Sequence, residues 1–283
     1  MKNIQAPKKM QDEIAWLKRR GKTVGFVPTL GALHEGHLSL VAAARRECSR
    51  VVVSIFVNPL QFGPTEDFGR YPRNERRDLS LLRRAKVDVA YVPDPAAFYA
   101  PDFQTRVEVL ELSQALCGRT RPAHFKGVAT VVAKLLGQVR PDRMYLGQKD
   151  YQQVRVLSQL VRDLDIPVHV RMVPTRREKD GLAMSSRNIF LNQSERAAAP
   201  EIYKALKRAK SLIAKGERDG RSVVSAVRRA LKALPGVRLD YAELVCARTL
   251  RRVVELKKND RLVLAAAVYF RKTRLIDNML IKV

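Results

Sequence analysis

Seven residues, Val51-Val52-Val53-Ser54-Ile55-Phe56-Val57, form an almost unbroken apolar run. A strand with one solvated face alternates, whereas a strand of a parallel sheet covered on both faces reads as continuous hydrophobe. Such a strand needs helices on both sides, and the flanking sequence supplies their pattern. Helical periodicity is expected over Pro7 to Arg20, Gly36 to Arg46, Arg73 to Lys86, Val128 to Val139 and Asp150 to Asp163. Further strands are expected over Lys22 to Val27, Val87 to Val92, Gln104 to Val109, Arg143 to Leu146 and Val168 to Val173. Strands alternating with helices imply a Rossmann-like, doubly wound α/β sheet with right-handed crossovers. From about residue 176 the texture changes. Helices near Ser194, Pro200 to Lys215 and Arg221 to Leu234 precede short strand-like runs at Tyr241 to Val245, Leu262 to Val268 and Leu280 to Val283. The expected organisation is a doubly wound domain over residues 1–175 and a smaller α+β domain over 176–283 that closes over the first domain's site.

In an open α/β sheet ligands bind outside the carboxyl ends of the strands. The polar motifs of this chain fall at those ends. After Val27 comes Pro28-Thr29-Leu30-Gly31-Ala32-Leu33-His34-Glu35-Gly36-His37, in which the strand is expected to break at the proline and re-enter as a helix. A helix beginning there points backbone N–H groups at an anion. Two of the chain's four histidines, His34 and His37, sit where turn becomes helix. They read either as capping histidines or, more strongly, as donors to phosphate oxygens. After Val57 come Asn58 and Gln61, neutral amides able to read hydroxyl and carboxylate groups. After Leu146 comes Gly147-Gln148-Lys149-Asp150-Tyr151-Gln152-Gln153, where Lys149 can neutralise phosphate charge, Asp150 can cap the next helix and Gln153 can bind a polar substrate. Met184-Ser185-Ser186-Arg187-Asn188 suits a lid over phosphates or a polar linker. Arg119, Arg121, His124 and Lys126 form a basic run that either holds an acid or stays solvated.

The rest of the chain narrows the classes. Cys48, Cys117 and Cys246 have no metal-ligand spacing and read as free thiols in the cytoplasm. No apolar run is long enough for a bilayer, and the first residues lack the core of a signal peptide. The charge is unusual: 54 basic against 28 acidic residues, a net +26. A field of that sign draws polyanions. No nucleic-acid motif accompanies it, so a solvated basic surface is favoured over a nucleic-acid partner.

Five blocks identify a resemblance. The stretch Pro28 to His37, Phe56-Val57-Asn58-Pro59-Leu60-Gln61-Phe62, Arg121-Pro122-Ala123-His124-Phe125-Lys126-Gly127, Gly147 to Gln153 and Asp180 to Asn188 resemble, in order, the motifs of the pantothenate synthetase (pantoate–β-alanine ligase) family, within the HxGH nucleotidyltransferase superfamily. Looser similarity continues through Asp240-Tyr241 and Thr273 to Asn278. The resemblance implies a two-step reaction: pantoate and ATP give pantoyl adenylate and pyrophosphate, and β-alanine then displaces AMP to give pantothenate. It implies Mg²⁺ carried mainly by the ATP phosphates rather than by protein ligands, and a cytoplasmic homodimer. It implies catalytic roles for His37, His34 and Lys149. ATP contacts would come from Leu30, Gly31, Ala32, Leu33, His34, Glu35, Gly36 and His37. Gly147, Gln148, Lys149, Asp150, Arg176, Met184, Ser185, Ser186 and Arg187 would supply the rest. Gln61 and Gln153 would hold pantoate, Gln61 would border β-alanine, and Asn58, Tyr71, Arg121 and His124 are secondary candidates. Two positions depart from the family pattern: Leu30 stands for the usual methionine and Gln148 for the usual glutamate. The rival readings are a nucleotidyltransferase that stops at the first transfer, and an RNA-binding protein suggested by the charge.

Overall fold

The computed structural model describes residues 1–64 and 66–283, and within them the chain forms two compact units. The first comprises residues 1–113, 121–148 and 153–174; the second comprises 114–120, 149–152 and 175–283. Two short segments that precede the boundary expected from the sequence thus group with the second unit.

In chain order the first part runs β1 (Lys2–Ile4), α1 (Pro7–Arg19), β2 (Val24–Thr29), α2 (Glu35–Glu47), β3 (Arg50–Ile55), α3 (Glu75–Arg84) and β4 (Val89–Tyr91). Three short helices, α4 (Pro95–Phe98), α5 (Leu110–Gln114) and α6 (Cys117–Thr120), lead to α7 (His124–Val139). The part closes with β5 (Arg143–Gly147), α8 (Tyr151–Asp163) and β6 (His169–Val173). The six strands form one sheet in the order β1-β4-β3-β2-β5-β6, every pairing parallel. From β2 the chain winds outward through β3 to β4, then returns to the other side of β2 with β5. Strand order therefore reverses between β2 and β5, where the crevice of a doubly wound sheet lies.

Each element follows from its residues. Pro7 occupies the first turn of α1, where its missing N–H costs nothing, while Met10, Ile14 and Leu17 form the buried stripe. Val51, Val52 and Val53 of β3 are fully buried, as a doubly covered strand requires. Leu40, Val41, Ala43 and Ala44 of α2 and Leu79 and Leu82 of α3 pack with β3 in one core cluster. On α7 the buried residues run through most of its length and pack against α1.

The second unit is α+β. Helices α9 (Gln193–Ala198), α10 (Glu201–Ala214) and α11 (Gly220–Lys232) are followed by the antiparallel strands β7 (Val237–Cys246), β8 (Arg261–Phe270) and β9 (Thr273–Lys282), ordered β7-β8-β9. Ile202, Leu206, Val223, Val227 and Leu231 from the helices share a core with Leu244, Leu264 and Val268 from the strands.

Three expectations need correction, and one strand, β1, was not expected. The strand does not break at Pro28: β2 continues to Thr29, with Pro28 in register with Ser54. Residues 104–109 belong to no strand; their alternation instead leaves Val107 N–H on the Thr130 hydroxyl, 3.0 Å away. β1 escaped notice because only Ile4 of its three residues is buried. β9 is ten residues long rather than four, since buried Thr273, Asp277 and Asn278 give its first half the composition of a loop.

Leu82, fully buried on α3, gives a direct test of the core: Leu82→Ala should cost about 2–5 kcal/mol of stability, read as a lower midpoint of chemical denaturation.

Candidate active site

The turn after β2 is held from within. Gly31 has φ +83° and Ala32 φ +49°, so two successive residues take the left-handed region. The turn carries this conformation because a carboxylate accepts two of its amides: Ala32 N–H donates to Asp78 Oδ2 and Leu33 N–H to Asp78 Oδ1, each 2.8 Å. Gly31 N–H donates to the Thr29 hydroxyl at 3.2 Å, and Arg77 Nη1 donates to the Leu33 carbonyl at 2.9 Å. A Cβ on Gly31 would stand 3.1 Å from both Asp78 Oδ2 and Ile55 Cγ2, so glycine is required for space as well as for φ. The sequence suggested that these amides face an external anion. The first anion they hold is the protein's own Asp78, which is 1% exposed. Burial pushes the Asp78 carboxyl above its ordinary range even though both amides and Arg77 oppose it. A raised carboxyl favours folding below its unfolded pKa, and that contribution is lost as pH rises through the folded value.

The two histidines then cap α2. His34, at the N-cap, accepts the Gly36 N–H on Nδ1 at 3.1 Å, and His37 Nδ1 accepts the His34 N–H at 3.3 Å. Their ring centroids are 4.1 Å apart. An Nδ1 that accepts carries no hydrogen, so each neutral ring bears its proton on Nε2. Capping and anion contact are therefore compatible: the cap uses Nδ1 of each ring, and Nε2–H is the donor. Glu35, exposed in the first helical turn, complements the positive end of the helix dipole.

After β3, a short 3₁₀ turn at Pro59–Gln61 carries the amides. Asn58 is fully buried and fully used: Nδ2 donates to Gln61 Oε1 and to the Gly127 carbonyl, both 3.1 Å, while Oδ1 accepts from Leu60 N–H at 3.3 Å and Tyr99 hydroxyl at 3.0 Å. Burial pushes the Tyr99 hydroxyl up, which keeps it a donor. Asn58 thus positions Gln61. The Gln61 carbonyl is in turn held by His124 Nδ1 at 2.9 Å and Arg121 Nη2 at 3.3 Å. Gly127, in the first turn of α7, lets that helix touch the loop; a Cβ there would lie 2.1 Å from the Leu60 carbonyl oxygen.

Each arginine and lysine of the basic run pairs with an acid of the chain itself, while Arg119 and Lys126 stay well exposed to solvent. Arg121 makes a two-pronged pair with Glu66, its Nε donating at 2.7 Å, Lys126 pairs with Glu108 at 3.0 Å, and in the second unit Arg119 pairs with Glu243. Tyr71 is buried, its ring edge-on to Phe62. Gly147 ends β5, Gln148 begins the 3₁₀ turn that follows, and Gln153 lies in the first turn of α8, all three partly exposed. The first unit thus brings the Leu30 to His37 turn, the Gln61 loop and the residues following β5 to the carboxyl edge of its sheet.

The second unit holds the other candidates. Lys149 Nζ is 3.7 Å from Asp150 Oδ1, and the Lys149 carbonyl accepts from Asn278 Nδ2 at 2.9 Å. Lys149 and Ser185 line a small pocket with Asp277 and Tyr203. Behind it, Arg177 makes a two-pronged pair with Asp277, at 2.6 and 2.9 Å, and stacks 3.7 Å over the Tyr203 ring. Burial pushes the Asp277 carboxyl up, with Arg177 opposing it. Exposed Arg176 opens the loop, and its carbonyl accepts Met184 N–H at 3.0 Å; Ser185 caps the 3₁₀ turn Ser186–Phe190 by accepting Arg187 N–H at 3.2 Å. Glu178 holds both Arg196 and Asn188, so this loop is a braced hairpin rather than a bare linker.

Sequence reasoning missed Asp78, Glu66, Tyr99, Gly127 and the Arg177–Asp277 pair. Asp78 left one legible sign: it lies four residues before Leu82, on the apolar stripe of α3, where an unpaired acid has no place.

A doubly wound sheet with a histidine-capped helix at its switch point defines an α/β enzyme that handles anionic, phosphate-bearing groups. The family described as pantoate-beta-alanine ligase matches residues 2–280. A pantothenate synthetase of Carboxydothermus hydrogenoformans is 49% identical over 281 residues, covering 98% of this chain and 97% of its own. The crystal structure of pantothenate synthetase from Thermus thermophilus superposes with a TM-score of 0.91 at 45% identity, covering 99% of each chain. That of pantoate-beta-alanine ligase from Francisella tularensis, complexed with beta-gamma ATP and beta-alanine, does so with a TM-score of 0.79 at 36% identity, over 99% of this chain and 97% of its own. The chain belongs to the pantoate–β-alanine ligase family.

Asp78→Asn removes one of two acceptors and turns an NH₂ toward a buried N–H. It should lower stability by about 1–3 kcal/mol, measured as a shift in the denaturation midpoint against the wild type.

Proposed function

We propose that this chain joins pantoate to β-alanine at the expense of ATP, through a pantoyl adenylate. In the first step a pantoate carboxylate oxygen attacks the α-phosphorus and pyrophosphate leaves. In the second the β-alanine amine attacks the acyl carbon, the acyl–phosphate bond breaks, and AMP departs with pantothenate formed. The observation that carries this reading is the paired histidine cap, because it sets two Nε2–H donors at the switch-point edge of the sheet.

The roles follow from chemistry. In phosphoryl and nucleotidyl transfer the protein's work is positioning and stabilising negative charge. His34 and His37 donate to phosphate oxygens, His37 donating as charge grows toward the leaving pyrophosphate, and Lys149 adds a positive charge at the α-phosphate. Leu30 to Leu33, Glu35, Gly36, Gly147, Gln148, Asp150, Arg176 and Met184 to Arg187 complete the nucleotide contacts. Gln61 and Gln153 take the hydroxyl and carboxylate oxygens of pantoate, Gln61 also bordering β-alanine. Asn58, Arg121 and His124 hold the Gln61 segment in place. Among the described residues no group of three His, Cys, Asp or Glu side chains converges on a metal position. The His and Lys donors suit phosphate oxygens, so Mg²⁺ would ride on the phosphates that His34, His37 and Lys149 hold. When bound it supplies charge neutralisation. The resemblance also carries a homodimeric, cytoplasmic enzyme.

The test is ATP–pyrophosphate exchange, with and without pantoate. Exchange that needs pantoate and no β-alanine supports the adenylate route, whereas exchange indifferent to pantoate contradicts it. His37→Ala should lower the turnover of adenylation by about 10²–10³, and near-normal turnover would remove His37 from that role. Gln61→Ala should raise the pantoate KM far more than the ATP KM; equal effects would show that Gln61 does not select the acid.

A further inference from the structure

The opposite, amino-terminal edge of the same sheet carries a second cavity, of about 650 Å³. That volume lies within the range of small-ligand sites. It opens where β1, β3 and β4 begin, and Lys2, Arg45, Arg50, Arg83 and Lys86 line it against only two acids, Glu13 and Asp88. The acids are already committed. Glu13 takes Lys2 at 2.6 Å. Asp88 is shared by Arg45 at 2.6 Å and Arg50 at 3.5 Å, and also accepts Val51 N–H at 2.8 Å. One carboxylate between two guanidiniums leaves a positive charge over, and Arg83 and Lys86 add two more, both exposed.

Helix ends account for part of this charge. In a parallel sheet the helices run back against the strands, so α1, α2 and α3 end at this edge, and Arg45 and Arg83 sit in last turns, where cations complement the dipole. Lys2 and Arg50 lie on strands, and Lys86 follows the end of α3 in the left-handed region. Lys2 and Arg50 have no helix dipole of their own to offset, while Lys86 sits just past the negative end of α3, its N–H on the Arg83 carbonyl at 2.9 Å. The guanidinium fork matches phosphate oxygens in geometry as well as charge.

We propose that this cavity is a second anion site, taking a small polyphosphate anion through Arg50, Arg83 and Lys86. The chain's single tryptophan, Trp16, lines the same cavity, with the Arg20 guanidinium 4.0 Å over its ring and Lys2 Nζ 5.1 Å from it. An anion that draws on these cations alters the field at the indole, so Trp16 reports occupancy directly.

The experiment is a titration of the full chain with inorganic tripolyphosphate, following Trp16 emission and, in parallel, the heat of binding. Citrate and sodium chloride at matched ionic strength serve as the carboxylate and screening arms. Saturable binding to tripolyphosphate is expected. It should be retained in His37→Ala and be about tenfold or more weaker in the Arg83→Ala/Lys86→Ala double variant. These two side chains are exposed, and circular dichroism confirms that the double variant is folded. Four outcomes overturn the proposal: no saturable signal or heat, a response that sodium chloride reproduces, tighter binding of citrate, or an unchanged affinity in the double variant.

Discussion

The carboxylate of Asp78 is the contact on which the rest of the site depends. It accepts two successive amides of a turn whose residues sit at positive φ. Without an acceptor those buried amides would each carry a desolvation cost comparable to a lost hydrogen bond. With one, the turn leaves β2 at a set angle and delivers His34 to the N-cap of α2. The donor of this carboxylate is α3, whose Leu79 and Leu82 are locked into the core beside β3. Packing on one face of the sheet thus fixes backbone geometry at its edge, and the edge geometry fixes the histidines.

The same logic holds in the Gln61 loop. Gln61 is 8% exposed and is held by the Asn58 amide on its side chain and by His124 and Arg121 on its carbonyl. Arg121 is itself clamped by Glu66. A neutral amide held by such a network has little freedom left to lose, which is what preorganisation means in energetic terms. In the second unit Arg177, Asp277 and Tyr203 play the corresponding part around the pocket that Lys149 and Ser185 line.

The sequence made the outline of this legible, and the limits were physical. Continuous hydrophobe at Val51 to Val53 and the helical stripes were enough to read a doubly wound sheet, since those signals are local. The motifs after β2, β3 and β5 could be placed at one edge because parallel strands end together. Long-range partners could not be read. Asp78 is 45 residues from Leu33 and Gly127 is 69 from Asn58 in chain distance, and nothing local pairs them. Polar residues buried by such partners also misled: Thr273, Asp277 and Asn278 disguised the first half of β9. At sequence level the net charge of +26 read only as a solvated basic surface or an attraction for polyanions. The fold accounts for part of it, since basic residues close the last turns of α1, α2, α3, α8 and α11 and complement their dipoles.

The central claim is that the cap sets the tautomer, and through it the donors, of His34 and His37. Long-range ¹H–¹⁵N correlation spectra of the histidine rings, recorded without nucleotide at a pH where the rings are neutral, measure this directly. Both rings should show the pattern of a protonated Nε2 and an unprotonated, hydrogen-bonded Nδ1. A protonated Nδ1 on either ring, or fast exchange between tautomers, would contradict the account.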